Sequence, residues 1–90
     1  MPLRDVSPLA EWARREDPRY SVWRTVAGWV ALLDTDPWRS PSRPLPEMSD
    51  LPHYEIRTAE VKGSGGVEVL YRRTFEGEVV DLLWVGAVSA

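Results

Sequence analysis

Ninety residues with 43% hydrophobic side chains make one domain with a modest core, which a partner or self-association would help to stabilise. The absence of cysteine excludes disulfides and thiolate metal sites, and a single histidine rules out a histidine-based metal cluster, so neither a metal nor a cofactor is expected. The net charge of −3 divides as +1 over residues 1–45 and −4 over residues 46–90, which disfavours a broad nucleic-acid-binding face. No stretch approaches the ~20 apolar residues of a membrane span and no signal-peptide pattern opens the chain, so a cytoplasmic protein with no membrane partner is expected.

Residues 3–6 read either as a short edge strand or as a lead-in, and the sequence leaves both open. Ser7-Pro8 is a helix start, with serine placed to cap free N–H groups and proline at the first helical position. A helix over about 8–16 puts Leu9, Trp12 and Ala13 on one face, favours Glu11 near its positive end, and stops at Asp17-Pro18. Trp12 reads as core. A second helix over about 20–34 repeats Val22, Val26, Trp29 and Leu33 at helical spacing, with Trp23, Ala27 and Val30 widening the stripe. One sheet and one short helix cannot cover so much apolar circumference, which makes Trp23 and Trp29 candidate partner-binding residues. Gly28 is read as allowing close approach of a neighbouring element. Residues 37–52 hold five of the eight prolines and read as a strap without regular structure. Trp38, Leu45 and Met48 would lie over the core, with Trp38 a third candidate interface anchor.

Residues 54–86 carry the clearest pattern, an antiparallel meander. Strands over 54–61, 67–75 and 79–85 are separated by the turn Gly63-Ser64-Gly65-Gly66 and by Glu76-Gly77. Val67, Val69 and Tyr71 alternate with Glu68, Leu70 and Arg72, and Val80, Leu82 and Trp84 with Val79, Asp81, Leu83 and Val85, so one face of the sheet is buried. Glu55, Arg57, Glu68, Arg72 and Asp81 are assigned to a second, partly polar face, the expected place for ligand chemistry. The expectation is a single α+β domain: two N-terminal helices packed on a three- to four-stranded, mainly antiparallel sheet. Its core is drawn from Trp12, Val22, Val26, Trp29, Val69, Tyr71, Leu82 and Trp84. The glycine turn is too short, and wrongly placed between strands, for a phosphate loop, and Glu76 and Glu78 read as solvated turn residues.

The order helix, helix, proline-containing strap, three-stranded meander resembles the RelE/ParE toxin superfamily of type II toxin–antitoxin pairs, in its phage-derived HigB/Gp49-like branch. The residues that carry the resemblance are Leu32-Leu33 followed by Asp36-Pro37, Pro44-Leu45, Tyr54-Glu55-Ile56-Arg57, Val67-Glu68-Val69-Leu70-Tyr71-Arg72 and Leu82-Leu83-Trp84-Val85-Gly86. They span about residues 22–86. The family usually opens with a strand that pairs into the sheet, a part for which only residues 3–6 are available here.

The resemblance implies a toxin-like protein that inhibits translation, as ribosome-dependent messenger-RNA endoribonucleases, or DNA gyrase. Its expected partners are a cognate antitoxin or a second copy of itself. Such ribonucleases hold the scissile phosphate with cations and place a proton donor or acceptor near the attacking hydroxyl. Arg57 matches the family's recurrent strand arginine. With Arg72, His53 and Tyr54 it forms the candidate catalytic set; Arg73 and Lys62 lie on neighbouring stretches. Glu68 stands where many of these ribonucleases have arginine, Glu55 where some have lysine, and residues 86–90 lack the usual basic or aromatic tail, so the ribonuclease site is degenerate. Arg57 also has a structural reading, pairing with Glu68 or Glu55 across the sheet. A non-catalytic interaction module that retains the fold is the alternative.

Overall fold

The computed structural model describes residues 3–35, 42–48 and 53–87. Its middle strand is β4, Val67–Thr74, in which burial follows the two-residue period of the sequence: Val67, Val69, Tyr71 and Arg73 are buried and the residues between them half-buried. The expected meander is present. β3 (Tyr54–Glu60) pairs antiparallel with β4, from Tyr54 opposite Thr74 to Glu60 opposite Glu68, and β5 (Val79–Ala87) pairs antiparallel on the other side. Ser64 closes the first turn from within. Its hydroxyl donates to the Val61 carbonyl at 2.6 Å and accepts the Val67 N–H at 3.0 Å, while Gly63, Gly65 and Gly66 take the positive φ angles that the turn needs.

Two edge strands enlarge the sheet beyond the three or four expected. β1 (Leu3–Asp5), the segment the sequence left undecided, pairs parallel with β5. β2 (Arg43–Pro44) pairs antiparallel with β3. The sheet is therefore five-stranded and mixed, in the order β1-β5-β4-β3-β2. β2 and the 3-10 turn Pro46–Met48 correct the expectation of a strap without regular structure. Proline fits the two-residue strand because β2 is an edge, where its missing N–H breaks no ladder. The Leu45 N–H then donates to the Ile56 carbonyl at 2.8 Å. Trp38 and the side chain of Met48 lie outside the described residues.

Two helices cover one face. α1 spans Ser7–Glu16 and α2 spans Tyr20–Leu32, with a turn over residues 33–35 where the second helix was expected to continue. Ser7 does not cap α1. Val6 occupies the cap without a side-chain bond, and Ser7 sits inside the first turn with its hydroxyl and N–H both donating to Asp5 Oδ1, which holds that carboxyl below its ordinary range. Asp17 ends the helix in the left-handed region at φ 45°, its N–H on the Ala13 carbonyl. Trp12 of α1 and Val26, Trp29 and Val30 of α2 pack with Leu33 against Ala59, Val61, Val67, Val69, Tyr71, Val80, Leu82 and Val85. Val22 is partly buried at the margin of this core. Gly28 faces open space, not a close neighbour. No helix among the described residues is long and apolar enough to cross a membrane.

Trp84 is not a core residue, and the reason is a bulge. Leu70 lies opposite Trp84 and Tyr71 opposite Leu82, so Leu83 is an extra residue in β5. One inserted residue reverses the alternation beyond it. Val80 and Leu82 face the helices before the bulge and Val85 after it, while Trp84 turns to the opposite face, 38% exposed, with its indole laid over Gly86. A Cβ on Gly86 would collide with that ring.

Asp81 fastens β1 to the sheet. Its carboxylate accepts two bonds from the Arg4 guanidinium, at 2.9 and 2.6 Å, and a third from Arg72 at 3.1 Å. The Arg4 bonds hold the Asp81 carboxyl below its ordinary range, Arg72 acts in the same sense, and burial opposes both. The Leu3 N–H donates to Asp34 Oδ1 in the turn that follows α2, a second tie on the same strand.

Two outcomes test this account. Trp12→Ala should cost about 3–5 kcal/mol, whereas Trp84→Ala should cost less than about 1 kcal/mol; equal losses in urea unfolding would place Trp84 back in the core. Because the folded-state pKa of Asp81 is depressed, its contribution is present above the unfolded aspartate value, about 3.9, and is lost as pH falls through the lower folded value. The stability gap between wild type and Asp81→Asn should therefore be widest near neutral pH and close below about pH 4, as read from denaturation midpoints against pH.

Candidate functional site

Strand register decides which of the expected site residues meet. Arg57 lies opposite Tyr71, and Arg72 opposite Ile56, so the two arginines occupy opposite faces of the sheet. Glu55 and Arg57 are on the side that carries the helices, together with Tyr71 and Arg73; Tyr54, Glu68, Arg72 and Asp81 are on the other. This divides the single polar face expected from the sequence. His53 is an exposed turn residue, edge-on to Tyr54 at 5.5 Å, and its carbonyl accepts the Phe75 N–H. The four candidates Arg57, Arg72, His53 and Tyr54 therefore do not converge on one cleft.

A different group does assemble, at the end of the helix-bearing face where the apolar positions of β3 and β4 give way to charge. The Arg57 guanidinium donates from Nε to Ser42 Oγ at 3.1 Å, from Nη2 to the Ser42 carbonyl at 2.9 Å, and from Nη1 to Glu55 Oε1 at 3.3 Å. Its carboxylate partner is thus Glu55, two residues away on the same strand. Arg73 reaches the same Glu55 oxygen at 3.8 Å and Glu78 Oε1 at 3.1 Å, and its guanidinium lies 4.7 Å from the Phe75 ring centroid. Glu78 is therefore an ion-pair partner, not a purely solvated turn residue, and it holds a left-handed φ of 51° while making that contact. Burial pushes the Tyr71 phenol up, while hydrogen bonding to Ser42 and Arg57 acts in the opposite direction.

Electrostatically this cluster is closed. Two guanidiniums are balanced by two carboxylates, and the Arg73 side chain is only 3% exposed. A scissile phosphate needs cations free to follow its developing charge, and here Glu55 already stands between the two. On the opposite face Arg72 is committed to Asp81. The arrangement suits fixing β2 and the β4–β5 turn more than phosphoryl chemistry. No group of three or more potential metal ligands occurs among the described residues. Surface depressions lie elsewhere, one of 640 Å³ beside the glycine turn and one of 290 Å³ between Trp12, Val22 and Val67.

Of the three tryptophans assigned to a partner surface, Trp29 is buried, edge-on to Tyr71 at 6.3 Å. Trp23 is 37% exposed and stacks on Tyr20 at 6.2 Å, so an aromatic pair stands on the outer side of α2, and Trp38 lies outside the described residues. Sequence reading missed Ser42, Tyr71, Arg73 and Glu78 as a polar group. The available signal was the odd numbering shared by Glu55 and Arg57 on one strand and by Tyr71 and Arg73 on the next.

Arg57→Lys keeps the charge and loses the guanidinium fork on Ser42. Amide hydrogen exchange at Leu45, whose N–H bonds the Ile56 carbonyl, should then accelerate by about tenfold or more, consistent with hydrogen bonds to charged groups contributing about 1.5–3 kcal/mol, while β4 amides stay protected. Unchanged exchange at Leu45 would remove Arg57 as the anchor of β2. No protein-family model, curated protein or solved structure matches the chain.

Proposed function

We propose that this chain is a toxin-like component of a type II toxin–antitoxin pair of the RelE/ParE kind, inhibiting translation or DNA gyrase by binding, with a ribonuclease site that has degenerated. The observation that carries the reading is β1. The resemblance called for an N-terminal strand paired into the sheet, and Leu3–Asp5 lies beside β5. The state of the arginines favours binding over cleavage: Arg57 and Arg73 share Glu55, and Arg72 serves Asp81 on the other face. The exposed Tyr20–Trp23 stack is the surface offered to an antitoxin or a second copy, since aromatic residues dominate binding energy at interfaces. That same stack would serve a non-catalytic interaction module that retains the fold, which is the second reading.

Induced expression in bacteria separates them. The toxin reading expects growth arrest without new ribosome-dependent messenger-RNA ends, and Trp23→Ala should leave the arrest in place while weakening neutralisation by an antitoxin or self-association. Harmless expression would leave the interaction module. Transcript cleavage at the rate of an efficient nuclease would show that the paired arginines are freed in the complex.

A further inference from the structure

The face of the sheet away from the helices carries an arrangement that the proposed function does not use. Across β5, β4 and β3 one row reads Gly86, Glu68, Glu60 and the next reads Trp84, Leu70, Thr58. Glu60 and Glu68 stand directly opposite each other on neighbouring strands, where like charges are destabilising. Neither meets a cation among the described residues. Arg72, the guanidinium on the same strand face, is held by Asp81 one row further on. The Trp84 ring occupies the space beside Gly86 where a Cβ would stand, so it borders the row that contains both carboxylates.

An exposed indole beside two uncompensated carboxylates has the components that recognise a guanidinium: a π-face for the cation and acceptors for its N–H groups. We propose that this face docks an arginine-bearing extended segment of a partner protein, with one guanidinium over Trp84 and bonded to Glu68 and Glu60. Charge complementarity selects the occupant, because Glu60 and Glu68 face each other while the ion pairs among the described residues take up Glu55, Glu78 and Asp81 instead. Leu70, half-buried beside Trp84, and Leu83, exposed at the bulge, supply apolar contact for the rest of the segment. The surface is separate from the Tyr20–Trp23 pair on α2, so this inference does not depend on the toxin reading.

The test is a titration of isotope-labelled protein with a short blocked peptide of alternating glycine and arginine, followed by amide and indole shifts. Saturable shifts confined to Glu60, Glu68, Leu70, Gly86 and the Trp84 indole are expected. Glu60→Gln with Glu68→Gln, which removes both charge-assisted contacts, or Trp84→Ala, which removes the ring, should weaken binding by about tenfold or more. A citrulline analogue of the peptide should not bind. Shifts spread over the acidic surface, or affinity unchanged in both variants, would overturn the proposal, as would dilution-dependent shifts at Trp84 without peptide, which would assign the face to a second copy of the chain. The double glutamine variant removes a repulsion; failure of it to fold would also overturn the proposal, by showing that the carboxylates serve the fold.

Discussion

Tyr71 is the joint of this fold. Its ring is fully buried against Trp29, inside the core that the helices close over β4, while its hydroxyl reaches Ser42 and Arg57 in the charged group beyond. A buried tyrosine needs both an apolar bed and a hydrogen-bonding neighbour, and only a boundary supplies the two together. The apolar part of the helix-bearing face therefore ends where its polar part begins, on one side chain. β2 depends on the same boundary, since the guanidinium that fixes Ser42 is the one beside the tyrosine hydroxyl.

The three strand arginines share a logic. Arg57, Arg72 and Arg73 are each engaged by a carboxylate close to them in the sheet: Glu55 on the same strand, Asp81 directly opposite, and Glu78 across the hairpin. A guanidinium at a sheet surface with its acceptors preplaced loses little freedom on pairing, and each pair joins elements that the ladder alone would hold loosely. Asp81 does so for β1 and Glu78 for the β4–β5 turn. In a chain this short, such ties supplement a core limited by its size.

Much of the fold was legible because period and punctuation agreed. Glycine turns at residues 63–66 and 77 bracket alternating strands, and Ser7-Pro8 and Asp17-Pro18 bracket the first helix. Side-chain direction was less legible. Leu82-Leu83-Trp84-Val85 is apolar throughout, so nothing in it marks which residue is inserted; the bulge appears only when β5 is set against β4, and it carries Trp84 to the other face. Likewise Arg57 and Arg72 look equivalent until the register places one opposite Tyr71 and the other opposite Ile56. Gly28 is read from sequence as a contact point because helical glycines often are, yet on α2 it meets nothing. The candidate site was the least legible part, since its members come from Ser42, two strands and a turn, and no local pattern joins them.

β5 is nine residues long, and β1 pairs only with its beginning, at Val80 and Asp81. The remainder of that edge lies beside α1, whose Arg15 donates to the Val85 carbonyl at 2.8 Å. A bare strand edge is a template on which another chain can grow a ladder. Arg15 occupies one rung of that template with a cation. A cation on that rung stands where an incoming strand would have to pair, which opposes edge-to-edge association of the folded chains.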